Sequence, residues 1–175
     1  MIHEIVIPAN TKKELVFIHD SPETSERVIR LSGSNAEVYV DEIFLSGSVK
    51  SNLVIIHDSP NTRSRIKTRG VVGKAQTVSA NAKIVIPKHG QLSDSFVSQN
   101  FLLLDETSRA DAVPSLEIEA DEVKASHSAT ISPISSESIF YLTSRGVSEA
   151  VAKKLLIEGF LKIPKGYEHL LARFI

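Results

Sequence analysis

The sequence predicts an all-β chain with a small α-helical tail, the β part wound as a parallel β-helix. Three features carry this expectation: short aliphatic runs punctuated by turn residues up to Pro133, an internal repeat, and a change of hydrophobic period after Pro133. The runs are Ile5 to Ile7, Leu15 to Ile18, the alternating AEVYVDEIFL from Ala36, Leu53 to Ile56, Lys83 to Ile86, Phe101 to Leu104 and Leu116 to Ile118. They are too short for helices and rich in strand formers. Gly, Ser, Asn, Asp and Pro lie between them and mark turns.

The repeat sharpens this reading. LVFIHDSPETSER at Leu15 to Arg27 recurs as LVIIHDSPNTRSR at Leu53 to Arg65, with 9 of 13 positions identical. A unit of strand, turn and strand cannot bury its own apolar face and needs a stacked neighbour. Two coils of about 19 residues suit the spacing from Leu15 to Leu53, so roughly six coils are expected before Pro133. A sandwich or jelly roll is the alternative for short strands with frequent turns.

After Pro133 the period becomes helical. SESIFYLTSRG reads as a short helix ended at Gly146, and Ser148 caps a second, SEAVAKKLLIEGFL, with Val151, Leu155, Leu156 and Phe160 on one face. Pro164 opens a third, with Tyr167, Leu170, Leu171 and Phe174 at helical spacing. The division is therefore a β-helix over 1–134 and a helical segment over 135–175, whose apolar faces, Phe140 and Tyr141 included, exceed what a small module can hide.

Composition narrows the function classes. Lys plus Arg number 20 against 21 Asp plus Glu, and that balance disfavours nonspecific nucleic-acid coating. No apolar run reaches the roughly 20 residues of a membrane span, and the first residues lack a secretory pattern, so the cytoplasm is the expected compartment. Cysteine is absent, which removes disulfides, thiol nucleophiles and any cluster held by this chain's own thiolates.

Several motifs invite chemistry. The two HDSP turns offer His19, Asp20 and Ser21, or His57, Asp58 and Ser59, as a Ser/His/Asp set. Adjacent strand residues point to opposite faces and cannot form that relay, so these are expected to be structural turns. Arg63, Arg65, Lys67 and Arg69 alternate, which puts four cations on one strand face as a phosphate or RNA contact or as a solvated β-helix face. Between Asp105 and Glu122 seven acidic residues stand against Arg109 alone, a hard-cation or iron site or again a solvated strand.

Beyond these, the stretch SRADAVPSLEIEADEVKASHSATISPISSESIFYLTSRGVSEAVAKKLLIEGFL resembles the C-terminal part of the SufB/SufD family, scaffold components of the SUF iron–sulfur cluster assembly system. Pro114 with LEI, ADEV, Ser126-His127 with AT, and FYLTSRG carry the likeness, and IIHDSPNTRSRIKTRGVV resembles one of the family's rungs. The resemblance implies a right-handed parallel β-helix, dimerisation through it, and a tail that docks on a SufC-type ABC ATPase. That ATPase contact is expected at Phe140, Tyr141, Arg145 and Gly146. It also implies a histidine, here His127, that supplies a metal ligand at the dimer interface; a packed rung histidine is the other reading.

The departures are specific. Where SufD-like chains read CSHGAT, this one reads ASHSAT from Ala125, and Gln99 stands where SufB-like chains have a cysteine. An iron–sulfur cluster or iron is then expected only transiently and shared with a partner, none being held by this chain alone. The expected function is a non-enzymatic SufD-like scaffold, in a homodimer or with another SufB/SufD-like subunit, away from the membrane. The alternatives are a self-associating structural β-helix with neither metal nor ATPase and, third, a metal-dependent enzyme built on His127 and nearby carboxylates.

Overall fold

The computed structural model describes residues 2–45 and 47–170. Ten strands come first: β1 Ile2–Ile7, β2 Lys12–His19, β3 Glu23–Leu31, β4 Glu37–Phe44, β5 Val49–His57, β6 Arg63–Val72, β7 Thr77–Ile86, β8 Asp94–Leu103, β9 Arg109–Ile118 and β10 Lys124–Pro133. Helices α1 Ser136–Ser144 and α2 Glu149–Leu161 follow. Odd strands form one sheet in the order β1-β3-β5-β7-β9, and even strands form the other, from β2 to β10, with every pairing parallel. The chain therefore alternates between two facing sheets and climbs one rung per coil. This is a parallel β-helix of about four turns.

Coil length departs from expectation. Ile2 pairs with Glu26 at the start of the stack and Thr77 with Arg109 near its end, so every coil is longer than the repeat suggests and fewer than six form. The repeat itself joins opposite sheets, since Leu15 lies in β2 and Leu53 in β5. Its spacing thus spans about one and a half coils, not two. Both copies place a buried histidine at a strand end, His19 in β2 and His57 in β5, which is what the shared sequence encodes.

Inside the coil, Ile7, Ile29, Leu31, Val38, Val40, Leu53, Ile55, Ile66, Ile84, Ile86 and Val97 form the main core. A second cluster lies outside the even sheet, where Ile157 and Leu161 of α2 cover Ile43, Leu45, Val71 and Leu102. The face of α2 that docks is thus Ala152, Ile157 and Leu161, while the expected Val151 and Leu155 are exposed and Leu156 and Phe160 half-buried. Tertiary packing chose a stripe rotated from the most apolar one. Ser148 does cap α2, accepting from the Val151 amide. Past Pro164 the described chain makes a turn and a short 3₁₀ segment at 168–170; Leu171 and Phe174 lie outside the described residues.

Coil corners recur in register. Asn10, Asn35, Asn61 and Leu92 each stand two residues before an even strand, with φ of 55°, 60°, 58° and 61°. Asparagine tolerates this left-handed conformation, and Asn35 also donates to Asn10 Oδ1 at 3.0 Å. Leu92 is the exception and is 56% exposed. Replacing it with asparagine is expected to raise stability by about 1 kcal/mol in urea unfolding. Gly70→Ala should do the opposite, by about 1–3 kcal/mol, because its Cβ would fall 2.4 Å from Phe101 Cε1 and 2.9 Å from Phe44 Cβ.

Candidate functional site

The HDSP histidines are interior, and neither belongs to a relay. His57 Nδ1 is bonded to Thr62 Oγ1 at 2.7 Å and Nε2 to Ser64 Oγ at 2.9 Å. The Thr62 hydroxyl spends its proton on the Ser59 carbonyl at 3.1 Å, so Nδ1–H donates to Thr62 and Nε2 accepts from Ser64. That assignment is a neutral imidazole, and burial accordingly lowers the His57 pKa to about 4. The Asp58 carboxylate points outward, accepting from His89 at 2.8 Å and Arg30 at 3.2 Å.

His19 is the electrostatic opposite of its repeat partner. It stacks on Phe44 at 4.4 Å between ring centroids, Nδ1 facing Glu23 and Nε2 donating to the buried Glu42 at 3.1 Å. Burial disfavours its charge, but hydrogen bonds and attraction from Glu42 and Glu23 outweigh that and raise its pKa. Ser51 at 2.6 Å and Thr68 at 3.1 Å complete the Glu42 shell. A buried acid of this kind is tolerated because its oxygens are occupied.

On β6 the four cations do share the outer face, with Ser64, Ile66 and Thr68 turned inward and buried. Arg63 pairs with Glu37 and Asp94, Arg65 with Asp94, and Arg69 with Asp41. The stripe is therefore mostly a ladder of ion pairs between coils, which favours the solvated-face reading over RNA contact. The acidic stretch is spread along β9 and its flanks, Glu117 pairing with Lys83. No group of three His, Asp or Glu that could hold a metal ion occurs among the described residues.

The open end of the coil holds the other candidates. Among the described residues β9 and β10 are the last strands of their sheets, so each has one edge without a paired strand. His127 lies in register with Val97, which is buried in the core, so its side chain takes the inward face of β10. With no further coil above it, His127 is exposed, and it makes no hydrogen bond among the described residues. Gln99 is one rung below on the same face, opposite Ala129. It is fully buried, donating from Nε2 to the Ala80 carbonyl at 3.1 Å while its Oε1 has no partner. The two positions distinguished by resemblance thus lie on neighbouring rungs, two residues apart in register. Sequence reasoning missed Glu42 and Gln99 as interior polar groups, since both sit among strand formers and only the coil register turns them inward.

In the tail, Ser135 caps α1, accepting from the Ser138 amide at 3.0 Å. Gly146, with φ of 86°, closes the helix by donating to the Thr143 carbonyl at 3.0 Å. No residue of α1 is buried: Phe140 is 72% exposed and Tyr141 58%. Arg145 lies 5.2 Å from the centroid of the Tyr141 ring. Tyr141, Arg145 and Gly146 therefore gather at the C-terminal end of α1 with Phe140 beside them. No helix among the described residues is long and apolar enough to cross a membrane.

Comparison with known proteins agrees with the geometry. The family described as SUF system FeS cluster assembly, SufBD core domain, matches residues 15–160. The chain is similar to the iron–sulfur cluster assembly protein SufD of Escherichia coli strain K12, 40% identical over 80 residues, covering 46% of this chain and 19% of that protein. It is also similar to iron–sulfur cluster assembly SufBD family proteins of Synechocystis sp. PCC 6803, 39% identical over 80 residues (46% and 18%), and of Mycobacterium leprae, 40% identical over 88 residues (46% and 22%). The matched segments span about a fifth of each of these relatives.

The twin histidines make opposite pH signatures. His57 has a folded pKa below its unfolded value, so its contribution is full above pH 6.5 and is lost as pH falls to about 4, roughly 3 kcal/mol in all. His19, raised when folded, contributes below pH 6.5 and loses that contribution as pH rises beyond it. Urea unfolding across this range should show His57→Gln with a flatter acid limb than the wild-type chain and His19→Gln with a flatter alkaline limb. Equal slopes in all three proteins would contradict the assignment.

Proposed function

We propose, from the premise that this chain belongs to the SufBD family of SUF iron–sulfur cluster assembly, that it is a non-enzymatic cytoplasmic scaffold. It works with a SufC-type ABC ATPase and pairs with a second SufB/SufD-like subunit or its own copy. The observation that carries this reading is the uncapped last coil. β9 and β10 present backbone edges that a second chain can pair, and His127 stands exposed at that end.

The cargo is iron or a nascent cluster. Neutral imidazole is a competent iron ligand, and with no thiolate in the chain His127 offers one nitrogen while the partner supplies the remaining ligands. Gln99, one rung below, adds a buried acceptor without a partner. The ATPase contact rests on Phe140, Tyr141, Arg145 and Gly146, an apolar and cationic patch that is exposed among the described residues. Since α2 is tied to β4 and β6 through Ile157 and Leu161, force on α1 reaches the even sheet through the short α1–α2 connection.

In the assembled complex, His127→Ala is expected to leave folding and ATPase binding intact while lowering retained iron severalfold. Equal iron in both complexes would reduce His127 to an exposed rung residue. Phe140→Ser with Tyr141→Ser should weaken ATPase binding at least tenfold without shifting the melting temperature, because neither ring is buried. This pair is a cleaner test than removing the tail, which would uncover Ile43, Val71 and Leu102. Full ATPase binding by the double variant would move the contact away from Phe140 and Tyr141, whereas a wild-type chain that binds neither ATPase nor iron would favour a self-associating structural β-helix.

A further inference from the structure

Away from the open end, a cavity of about 440 Å³ lies between the outer face of the even sheet and the end of α2. Lys67 and Arg69 of β6, Phe96, Ser98 and Asn100 of β8, and Gly159, Phe160 and Lys162 line it. The coil register builds one wall, since Lys67 pairs with Ser98 and Arg69 with Asn100. Three cations face this space and none of its lining residues is acidic. Asp41, bonded to Arg69 Nη2 at 2.8 Å, offsets one of the three charges.

Two of the three cations carry no ion pair among the described residues: Lys67 and Lys162, both exposed. Arg69 Nη1 donates to the Lys162 carbonyl at 3.4 Å, which occupies the last turn of α2, but its Nε is buried with no acceptor. Asn100 donates to Ser98 Oγ at 2.9 Å, so the Ser98 hydroxyl proton is free to point elsewhere. By contrast, the cavities at Arg63 carry Asp94 with Glu122 or Glu37 in their walls, where carboxylates match or outnumber the cations.

We propose that this cavity binds a phosphate-bearing small molecule, its anionic group held by Lys67, Arg69 and Lys162 and its flat ring lying against Phe96 and Phe160. Two free ammonium groups beside a guanidinium charge suit phosphate oxygens, and the volume suits a ligand of nucleotide size. The site is distinct from the coil end that carries His127 and from the exposed face of α1, so it stands whether or not the scaffold reading holds.

The test uses the full chain, with inorganic pyrophosphate and adenosine diphosphate as probes in calorimetric titration at low salt. Saturable binding of both is expected, tighter for the nucleotide and weakened by added salt. Lys67→Glu should lower affinity for both probes at least about tenfold, with an unchanged melting temperature. Phe96→Ala should remove only the nucleotide's advantage over pyrophosphate. Absence of saturable binding up to about 10 mM, or equal affinity in the wild-type chain and Lys67→Glu, overturns the site. Equal affinity of the wild-type chain for the two probes overturns the role of the aromatic walls.

Discussion

Every inward side chain in this protein lies on the side chain at the same register position one coil away, and that stacking governs the rest of the structure. Ladders such as Leu15, Val40, Ile66, Val97 and His127 run the length of the coil through parallel pairing. Parallel strands cannot turn back through a hairpin, so each residue is held by neighbours distant in sequence. A side chain that fails its ladder position disturbs two coils at once. Gly70, beneath Phe101 and beside Phe44, shows how little volume is spare.

The same constraint explains the polar interior. Where a ladder carries Ser, Thr, His or Glu, the groups above and below must satisfy it, since water is excluded. His57 is answered by the hydroxyls of Thr62 and Ser64, which Ser93 and Ser95 extend one coil further. His19 is answered by carboxylates instead, so identical HDSP turns create two imidazoles whose pKa values shift in opposite directions. Outside the coil, the stacked position of one strand relative to the next turns alternating charge into ion pairs, Arg63 and Arg65 on Asp94 and Arg69 on Asp41.

A stack also has ends, and its exposed inward face lies where stacking stops. At β9 and β10 the inward face loses its cover, which exposes His127 although its ladder partner Val97 is wholly buried. The tail helices do not close this end. α2 covers the outside of the even sheet and α1 leaves its aromatic face open. Membership of the SufBD family of iron–sulfur cluster assembly is consistent with surfaces left open for assembly.

The β-helix, its helical tail and the capping of α2 by Ser148 were legible in the sequence, because aliphatic runs, turn residues and caps are local signals. The polar strands β3, β6 and β10 were harder to read, since Ser25 in β3, Ser64, Thr68 and Gly70 in β6, and Ala125, His127 and Ala129 in β10 take inward positions and break the hydrophobic alternation. Coil length, the docking face of α2 and the inward placement of Glu42 and Gln99 were not legible at all. By itself the sequence determined that strands would form, where they would turn and which family's motifs they carry. Only the tertiary structure decided which sheet each strand joined and what lay above it, because in a solenoid the partner of every residue is set by the lengths of the coil's corners and not by its neighbours in the chain.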